Sequence, residues 1–252
     1  MSDTNYPTLS KVPEVTLVFW IIKILATTLG ETGGDAVSMS MNLGYLVGTG
    51  IFAAIFLAAV LVQVSAGKFH PVIYWVTIIA TTTVGTTMAD FADRSLGIGY
   101  AGGTSILFAL LMGSLFVWYR TLGSVAVDTV SSPKSEMFYW ITIMFSQTLG
   151  TALGDWTADT AGLGYTGGAV VFGTMLALIA VAYYRTRIPH TVLFWSAFIL
   201  TRPLGAVVGD FLDKPLANGG LALSRYSATA AILSLIALCI FFFPCRPATR
   251  QH

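Results

Sequence analysis

The chain has 252 residues, of which 55% are hydrophobic and 10% are charged, and its formal net charge is +1. Soluble domains carry about 25% charged residues, so this composition excludes an ordinary water-soluble domain. A net charge near zero also gives no basic patch for nucleic acid, and we expect no nucleic-acid partner. Apolar segments such as 51–64 with its flanks are long enough to cross a bilayer. The sequence therefore predicts a polytopic membrane protein whose main partner is the lipid bilayer.

Four tryptophans mark an internal repeat. Each follows an aromatic residue, each is followed ten residues later by a glycine, and each glycine is followed five residues later by an aspartate. The tryptophans are Trp20, Trp75, Trp140 and Trp195, the glycines are Gly30, Gly85, Gly150 and Gly205, and the aspartates are Asp35, Asp90, Asp155 and Asp210. Three landmarks in one register, four times over, indicate four copies of one structural unit.

Each copy predicts two membrane-spanning helices. The first begins just before the tryptophan and ends near the aspartate, and the second continues for about 20 residues, the length that crosses a bilayer. In chain order we expect a tail (1–13), repeat 1 (14–66), repeat 2 (67–119), a polar linker (120–136), repeat 3 (137–185), repeat 4 (186–243) and a second tail (244–252). The predicted fold is all-α and integral to the membrane, with eight transmembrane helices in two pseudo-symmetric halves.

Positive charge predicts the orientation. Lys and Arg concentrate in both tails and in the loops on the tryptophan side of the repeats. By the positive-inside rule we expect a multi-pass protein of the inner (plasma) membrane with both termini in the cytoplasm. Trp20, Trp75, Trp140 and Trp195 are interpreted as interfacial anchors, since tryptophan is enriched at membrane surfaces.

Small residues predict where the first helices of the repeats meet. Each repeat has two small residues four positions apart just before its aspartate: Gly30 and Gly34, Gly85 and Ala89, Gly150 and Gly154, and Gly205 and Gly209. Such pairs allow close helix packing in lipid. The aspartate is adjacent to the second small residue, so we expect it to flank the helix contact rather than face lipid.

Clustered carboxylates predict a cation site. Glu31, Asp93, Asp159 and Asp213 lie three or four residues from the repeated aspartates, on the same helix faces. Carboxylates at membrane depth are costly and usually functional, and oxygen ligands suit hard divalent ions. We expect a divalent metal ion, Mn²⁺ or Mg²⁺, as substrate or ligand of Asp35, Asp90, Asp155, Asp210, Glu31, Asp93, Asp159 and Asp213. Arg202 is interpreted as a charge partner that partly neutralises Asp210.

These features resemble a family of bacterial membrane-anchored proteins built from four tandem copies of a repeat of unknown function, each with two transmembrane regions and a tryptophan. The resemblance covers about Glu14 to Phe243, and the fourth repeat departs from it after Asp213, where Gly219-Gly220 replaces the Gly-Tyr pair of the other repeats. It implies the eight-helix architecture and names no activity. It also carries an expectation that such proteins handle metal cations, manganese in particular.

Three functions fit the sequence. The leading one is a transporter, not an enzyme, that exports a manganese-like cation, with protons as a candidate exchange ion. The first alternative is a membrane-embedded Mg²⁺-dependent enzyme for a lipid or prenyl diphosphate, since pairs such as Asp90 and Asp93 resemble diphosphate-binding motifs. The second alternative is a cation channel with an acidic ring. The sequence leaves open whether the chain forms a homo-oligomer and whether the aspartates form one site or two.

Overall fold

A computed structural model describes residues 9–249 as eight long helices with no β-strand among them. The helices are α1 (Leu17–Asp35), α2 (Gly44–Ser65), α3 (Pro71–Asp90), α4 (Tyr100–Leu122), α5 (Pro133–Asp155), α6 (Gly164–Arg185), α7 (His190–Asp213) and α8 (Arg225–Phe242). The predicted number of helices is confirmed. Seven of these eight have the length and apolar composition of membrane spans, and α5 is the exception.

The odd-numbered helices form an inner bundle. Helix α1 packs against α3 and α7, and α5 packs against the same two helices, so the four close into a ring. The side chains three residues after each tryptophan point into this bundle and are fully buried: Lys23, Ile78, Ile143 and Phe198. The first helices of all four repeats therefore share one interior.

The even-numbered helices form an outer layer, in which each packs on the inner helix of the following repeat. Helix α2 packs on α3, α4 on α5, α6 on α7, and α8 returns to α1. Their outward faces are apolar and exposed, with Leu61 at 68% and Phe241 at 81%. Exposed apolar area on this scale is typical of surfaces that contact a membrane or another protein.

Three inner helices continue beyond their aspartates, where the sequence analysis placed their ends. A π-helical turn follows α1, α3 and α5 directly, over Ala36–Ser40, Phe91–Ser95 and Trp156–Thr160. Helix α7 instead stays α-helical to Asp213 and stops at Lys214, the residue before Pro215, because proline disfavours helix at the position before it. The π turns change the direction of the side chains that follow the aspartates, and such turns are common at functional sites.

The predicted interfacial tryptophans lie inside the protein, which corrects their interpretation as anchors. Trp75, Trp140 and Trp195 are 1%, 2% and 5% exposed, and Trp20 is partly buried. They pack with neighbouring aromatic rings at the end of the inner bundle opposite the aspartates. The outer helices surround this bundle, so its inward faces do not reach lipid, and the indole rings supply core surface.

The tails and the linker cover the aromatic end of the bundle. The linker is shorter than predicted, because α4 extends to Leu122 and α5 begins at Pro133. Val12 of the N-terminal segment and Val127 and Val130 of the linker join the aromatic core. Pro13 forms a β-bridge with Pro247, which connects the two tails. Residues 1–8 and 250–252 of the predicted tails lie outside the described range.

Candidate metal centre

Glycines set the register of the inner helices. Each glycine of the predicted packing pairs faces the next inner helix so closely that an added methyl group would press on it. Gly30 faces Thr82, Gly85 faces Gln147, Gly150 faces Arg202, Gly205 faces Thr27, Gly34 faces Thr86, Gly154 faces Ala206, and Gly209 faces Glu31. Ala89, the remaining member, is 1% exposed. The same repeat positions meet around the whole ring, so the four aspartates lie at one level.

Six of the eight predicted carboxylates lie at this level of the bundle and are buried: Glu31, Asp35, Asp90, Asp155, Asp210 and Asp213. The other two point elsewhere. The carboxylate of Asp93 lies against Gly103 of α4, and Asp159 is exposed. The buried aspartates therefore form one acidic layer, although the sequence left open whether they formed one site or two.

Two of the four seams between inner helices carry a bridging cation, among residues 9–249. Arg94 contacts Asp90 at 2.9 Å and Asp155 at 3.1 Å across the α3–α5 seam, and Lys214 contacts Asp210 at 3.0 Å and also Asp35 across the α7–α1 seam. Both cations lie nineteen residues after the tryptophan of their repeat, where the other repeats have Met39 and Asp159. These two cations therefore alternate around the ring, and among the described residues no cation joins carboxylates across the α1–α3 or the α5–α7 seam. Arg202 reaches Thr86 and Thr151 at those seams only through their hydroxyl groups.

Lys214 is held in its charged form by these contacts. Burial lowers the pKa of its ammonium group, but the carboxylates of Asp210 and Asp35 raise it more, so the pKa of Lys214 lies above its ordinary value. Arg225 adds a further positive charge, with its Nε at 2.8 Å from Asp213 and 3.7 Å from Asp35. The carboxylates nearest α7 and α8 are thus already compensated.

Arg202 lies where all four inner helices meet. It projects from α7, is 0% exposed, and donates to Glu31 of α1 at 3.1 Å, to Thr86 of α3 and to Thr151 of α5. The expected pairing with Asp210 is wrong. Gly150 leaves space for the first carbons of the Arg202 side chain, which run along it to the bundle interior.

Two groups of three carboxylates have oxygen atoms close enough to share one cation, within 4.8 Å of one another. One group is Asp35, Asp210 and Asp213, and it already contacts Lys214 and Arg225. The other is Glu31, Asp35 and Asp90, which lies across the α1–α3 seam. Each of these carboxylates also contacts a cation (Arg202, Lys214 and Arg94, respectively), but among the described residues none of the three cations joins a carboxylate of α1 to one of α3. The hydroxyl group of Thr86 lies 3.3 Å from Glu31 and adds a further oxygen. This donor set suits a hard divalent ion.

The charges of the layer also favour a divalent ion. Its six carboxylates, counted as ionised, face four cations, namely Arg94, Arg202, Lys214 and Arg225. Two negative charges remain, which one divalent cation would balance. The third histidine lies outside the described residues, and the other two, His70 and His190, lie at the beginnings of α3 and α7, at the opposite end from the aspartates.

The family described as Repeat of Unknown Function (DUF347) matches the chain four times, over residues 18–69, 73–124, 138–188 and 193–243. The chain belongs to this family. Each matched DUF347 segment contains one inner and one outer helix, which confirms the four predicted repeats. The family description names no catalytic activity. Comparison with curated proteins and with solved structures gives no match to this chain.

Of the cations at the site, Arg202 was predicted from the sequence, but Arg94 and Lys214 were not. Arg94 and Lys214 follow other acidic residues directly and were not assigned to the DUF347 repeat. Each also lies four residues after its repeat's aspartate, Asp90 or Asp210, and this i,i+4 spacing favours an ion pair on one helix face. That spacing was the available signal. The second contact, with the neighbouring helix, depends on the ring.

Proposed function

We propose that this chain is a multi-pass protein of the inner (plasma) membrane that exports a divalent, manganese-like cation, with protons as the exchange ion. The observation that carries the proposal is the carboxylate group Glu31, Asp35 and Asp90, which brings three close carboxylates together across the α1–α3 seam. Among the described residues, no cation joins a carboxylate of α1 to one of α3. The excess of two negative charges in the acidic layer independently supports the binding of one divalent cation.

The helical surface supports the membrane part of the proposal. Seven helices have the length and composition of spans, and the outer helices present apolar side chains such as Leu61 and Phe241. In water these faces would be unstable, whereas in a bilayer they contact lipid tails. The excess of Lys and Arg at the aromatic end supports a cytoplasmic position for that end and for both tails.

The interior supports a carrier over the two alternatives. Arg202 fills the centre of the bundle beside the acidic layer, and aromatic rings close the opposite end, so the path is blocked as in an occluded carrier. A channel requires a continuous opening. A diphosphate enzyme requires paired carboxylates on one metal, but Asp93 packs against α4 through Gly103, whereas Asp90 pairs with Arg94. Asp210 and Asp213 are close enough to share a metal, but they already contact Lys214 and Arg225.

Oxygen donors and the neighbouring methionine support manganese. Met39 occupies the repeat position at which Arg94 and Lys214 supply bridging cations. We infer from that register that its thioether faces the α1–α3 seam, where a weak soft ligand favours Mn²⁺ over Mg²⁺ and Ca²⁺. Metal binding requires deprotonated carboxylates, so binding and release couple naturally to protons.

The test is Mn²⁺ flux into liposomes that contain the purified protein, compared between Asp35→Asn and Asp159→Asn. Asp159 is the matched control, because it belongs to the same repeated motif but is exposed. We expect the parent and Asp159→Asn to show equal, saturable flux that responds to an imposed pH gradient, and Asp35→Asn to show almost none. Mg²⁺, Ca²⁺ and Zn²⁺ serve as competitors.

The result that would overturn the proposal is the absence of flux for every metal from protein that remains folded and inserted. Equal flux in Asp35→Asn and Asp159→Asn would reject the site while leaving transport in place. Flux that does not saturate and ignores pH would indicate a channel instead.

A further inference from the structure

A lysine lies inside the inner bundle without a hydrogen-bond partner. Lys23 of α1 is 0% exposed, its Nζ atom donates to no acceptor among residues 9–249, and it lies over the ring of Phe198, 4.2 Å from the centroid. A lysine this near the beginning of a helix can extend to the membrane surface, but the side chain of Lys23 turns inward. A cation–π contact compensates only part of the hydration that a buried ammonium group loses.

Further polar atoms without partners lie one helical turn along the bundle. They are the Thr82 hydroxyl of α3, both amide atoms of Gln147 of α5, and Nε of Arg202 of α7. All three side chains are 0% exposed and lie seven residues after the tryptophans, whereas Lys23 lies three residues after its own. Four residues correspond to about 6 Å along a helix and about 40° around it, so the four side chains face the same part of the interior.

This part of the bundle contains positive charge and hydrogen-bond donors but no carboxylate. Lys23 comes from α1 and Arg202 from α7, while α3 and α5 contribute only uncharged groups at this level, such as Thr82 and Gln147. The positive charge of Arg202 repels a positive charge on Lys23. Glu31 is bound by the two terminal nitrogen atoms of the Arg202 guanidinium group, which leaves Nε of Arg202 without a partner among the described residues. The electrostatic complement of this arrangement is a negative charge.

We propose that Lys23, Gln147, Thr82 and Nε of Arg202 form an internal binding site for a small monovalent anion of the size of chloride. The ammonium, amide and hydroxyl groups donate to the anion, which neutralises the one buried cation that has no acidic partner among the described residues. A hydrogen-bonded anion in place of an isolated buried charge removes most of the penalty for burial. The site shares Arg202 with the acidic layer but contains none of its carboxylates, and the proposal does not depend on the proposed transport.

The test compares the thermal unfolding of the purified protein in chloride with that in gluconate, at equal ionic strength and with a chelator present. A ligand that binds only the folded state raises the unfolding temperature with its concentration. We expect chloride to raise it in a saturable manner in the parent and in Lys134→Met, a control at an exposed lysine, and to have no effect in Lys23→Met. Absence of a chloride response in the parent, or its persistence in Lys23→Met, would overturn the proposal.

A second variant keeps the test decisive if Lys23→Met fails to fold. Gln147→Leu retains the lysine but removes an amide donor, and we expect the half-saturating chloride concentration to rise about tenfold, as for loss of one hydrogen bond to a charged group. An unchanged value would contradict the proposed ligand set. Crystals grown in bromide add a direct readout, with an anomalous peak beside Nζ of Lys23. A neutral lysine bound to water gives no such peak and no halide dependence, and that outcome would reject the anion.

Discussion

Arg202 acts within the acidic layer as a cation that is tied to the chain. Its guanidinium group binds a carboxylate and two hydroxyl groups from three different helices, which are the kinds of oxygen that a metal would use. Glu31 has no second ion pair among residues 9–249, so each of the two side chains depends on the other for compensation. Buried pairs of this kind are far more costly to break from one side than to replace together.

At the residue scale we expect Arg202→Met to destabilise the protein by about 3–5 kcal/mol, because Glu31 is left as an uncompensated buried charge. The double variant Arg202→Met with Glu31→Gln should recover most of that loss. Unfolding of both variants by heat or denaturant in detergent measures the difference. If the double variant is less stable than Arg202→Met alone, the loss of stability in Arg202→Met does not come from an unpaired Glu31.

The repeat predicted which residues carry charge but not which residues they meet. The register of the tryptophans gave Asp35, Asp90, Asp155 and Asp210 the same position in each repeat but left open whether they form one site or two. The structure brings them to one level. The partner of Arg202 could not be predicted in this way. A long side chain follows available space, and here that space is left by Gly150 on another helix. Contacts between repeats depend on the assembled bundle, which no local pattern describes.

At the scale of the helices, the seams depend on glycines that have no room for a side chain. A methyl group at Gly150 would meet the Arg202 side chain and the ring of Pro203 at 3.1 Å. Gly173 also lies within a helix, α6, but a methyl group added there has no neighbouring atom within 4 Å. The two positions separate the effect of packing from the general preference of helices for alanine.

We therefore expect Gly150→Ala to destabilise the protein by about 1–3 kcal/mol, since overpacking displaces Arg202 from Glu31. Gly173→Ala should be neutral or stabilise by about 0.5–1 kcal/mol, because alanine loses less backbone entropy in a helix. Thermal unfolding of both variants provides the comparison. Equal behaviour of the two would show that the seam tolerates a wider separation than the structure implies.

The helices themselves were largely predictable, since apolar length and the repeat register identify eight of them. The π turns after Asp35, Asp90 and Asp155 could not be predicted, because no residue composition distinguishes them and their sequences are also typical of a helix end. In the first three repeats these turns contain the residue that lies nineteen positions after the tryptophan. The alternation of cations there, Arg94 and Lys214 against Met39 and Asp159, is visible in the sequence only once the ring order is known.

At the scale of the whole molecule, each repeat is incomplete by itself. Its outer helix covers the inner helix of the next repeat, and α8 of the last repeat covers α1 of the first, so the chain closes on itself. Tandem repeats are equally compatible with two separate pairs, and the sequence could not decide between these arrangements. The two tails and the linker meet at the aromatic end, where Lys11 of the N-terminal segment contacts Glu136 of α5 at 2.7 Å.

This contact predicts that the N-terminal segment stabilises the closed ring. Lys11 and Glu136 have side chains 9% and 1% exposed, and Lys11 also donates to the carbonyl oxygen of Val64 at the end of α2, so one residue connects the first repeat to the second half. Lys11→Glu places two negative charges together at a buried position, and we expect a loss of about 3–5 kcal/mol. Lys134→Glu, at an exposed position in the first turn of α5, should change stability by less than about 0.5 kcal/mol.

The exchanged pair, Lys11→Glu with Glu136→Lys, should recover most of the loss in thermal unfolding, because attraction between the two side chains is restored. If the exchanged pair is no more stable than Lys11→Glu alone, the segment is held by its backbone contacts and by Val12, and the ion pair is not what closes the ring.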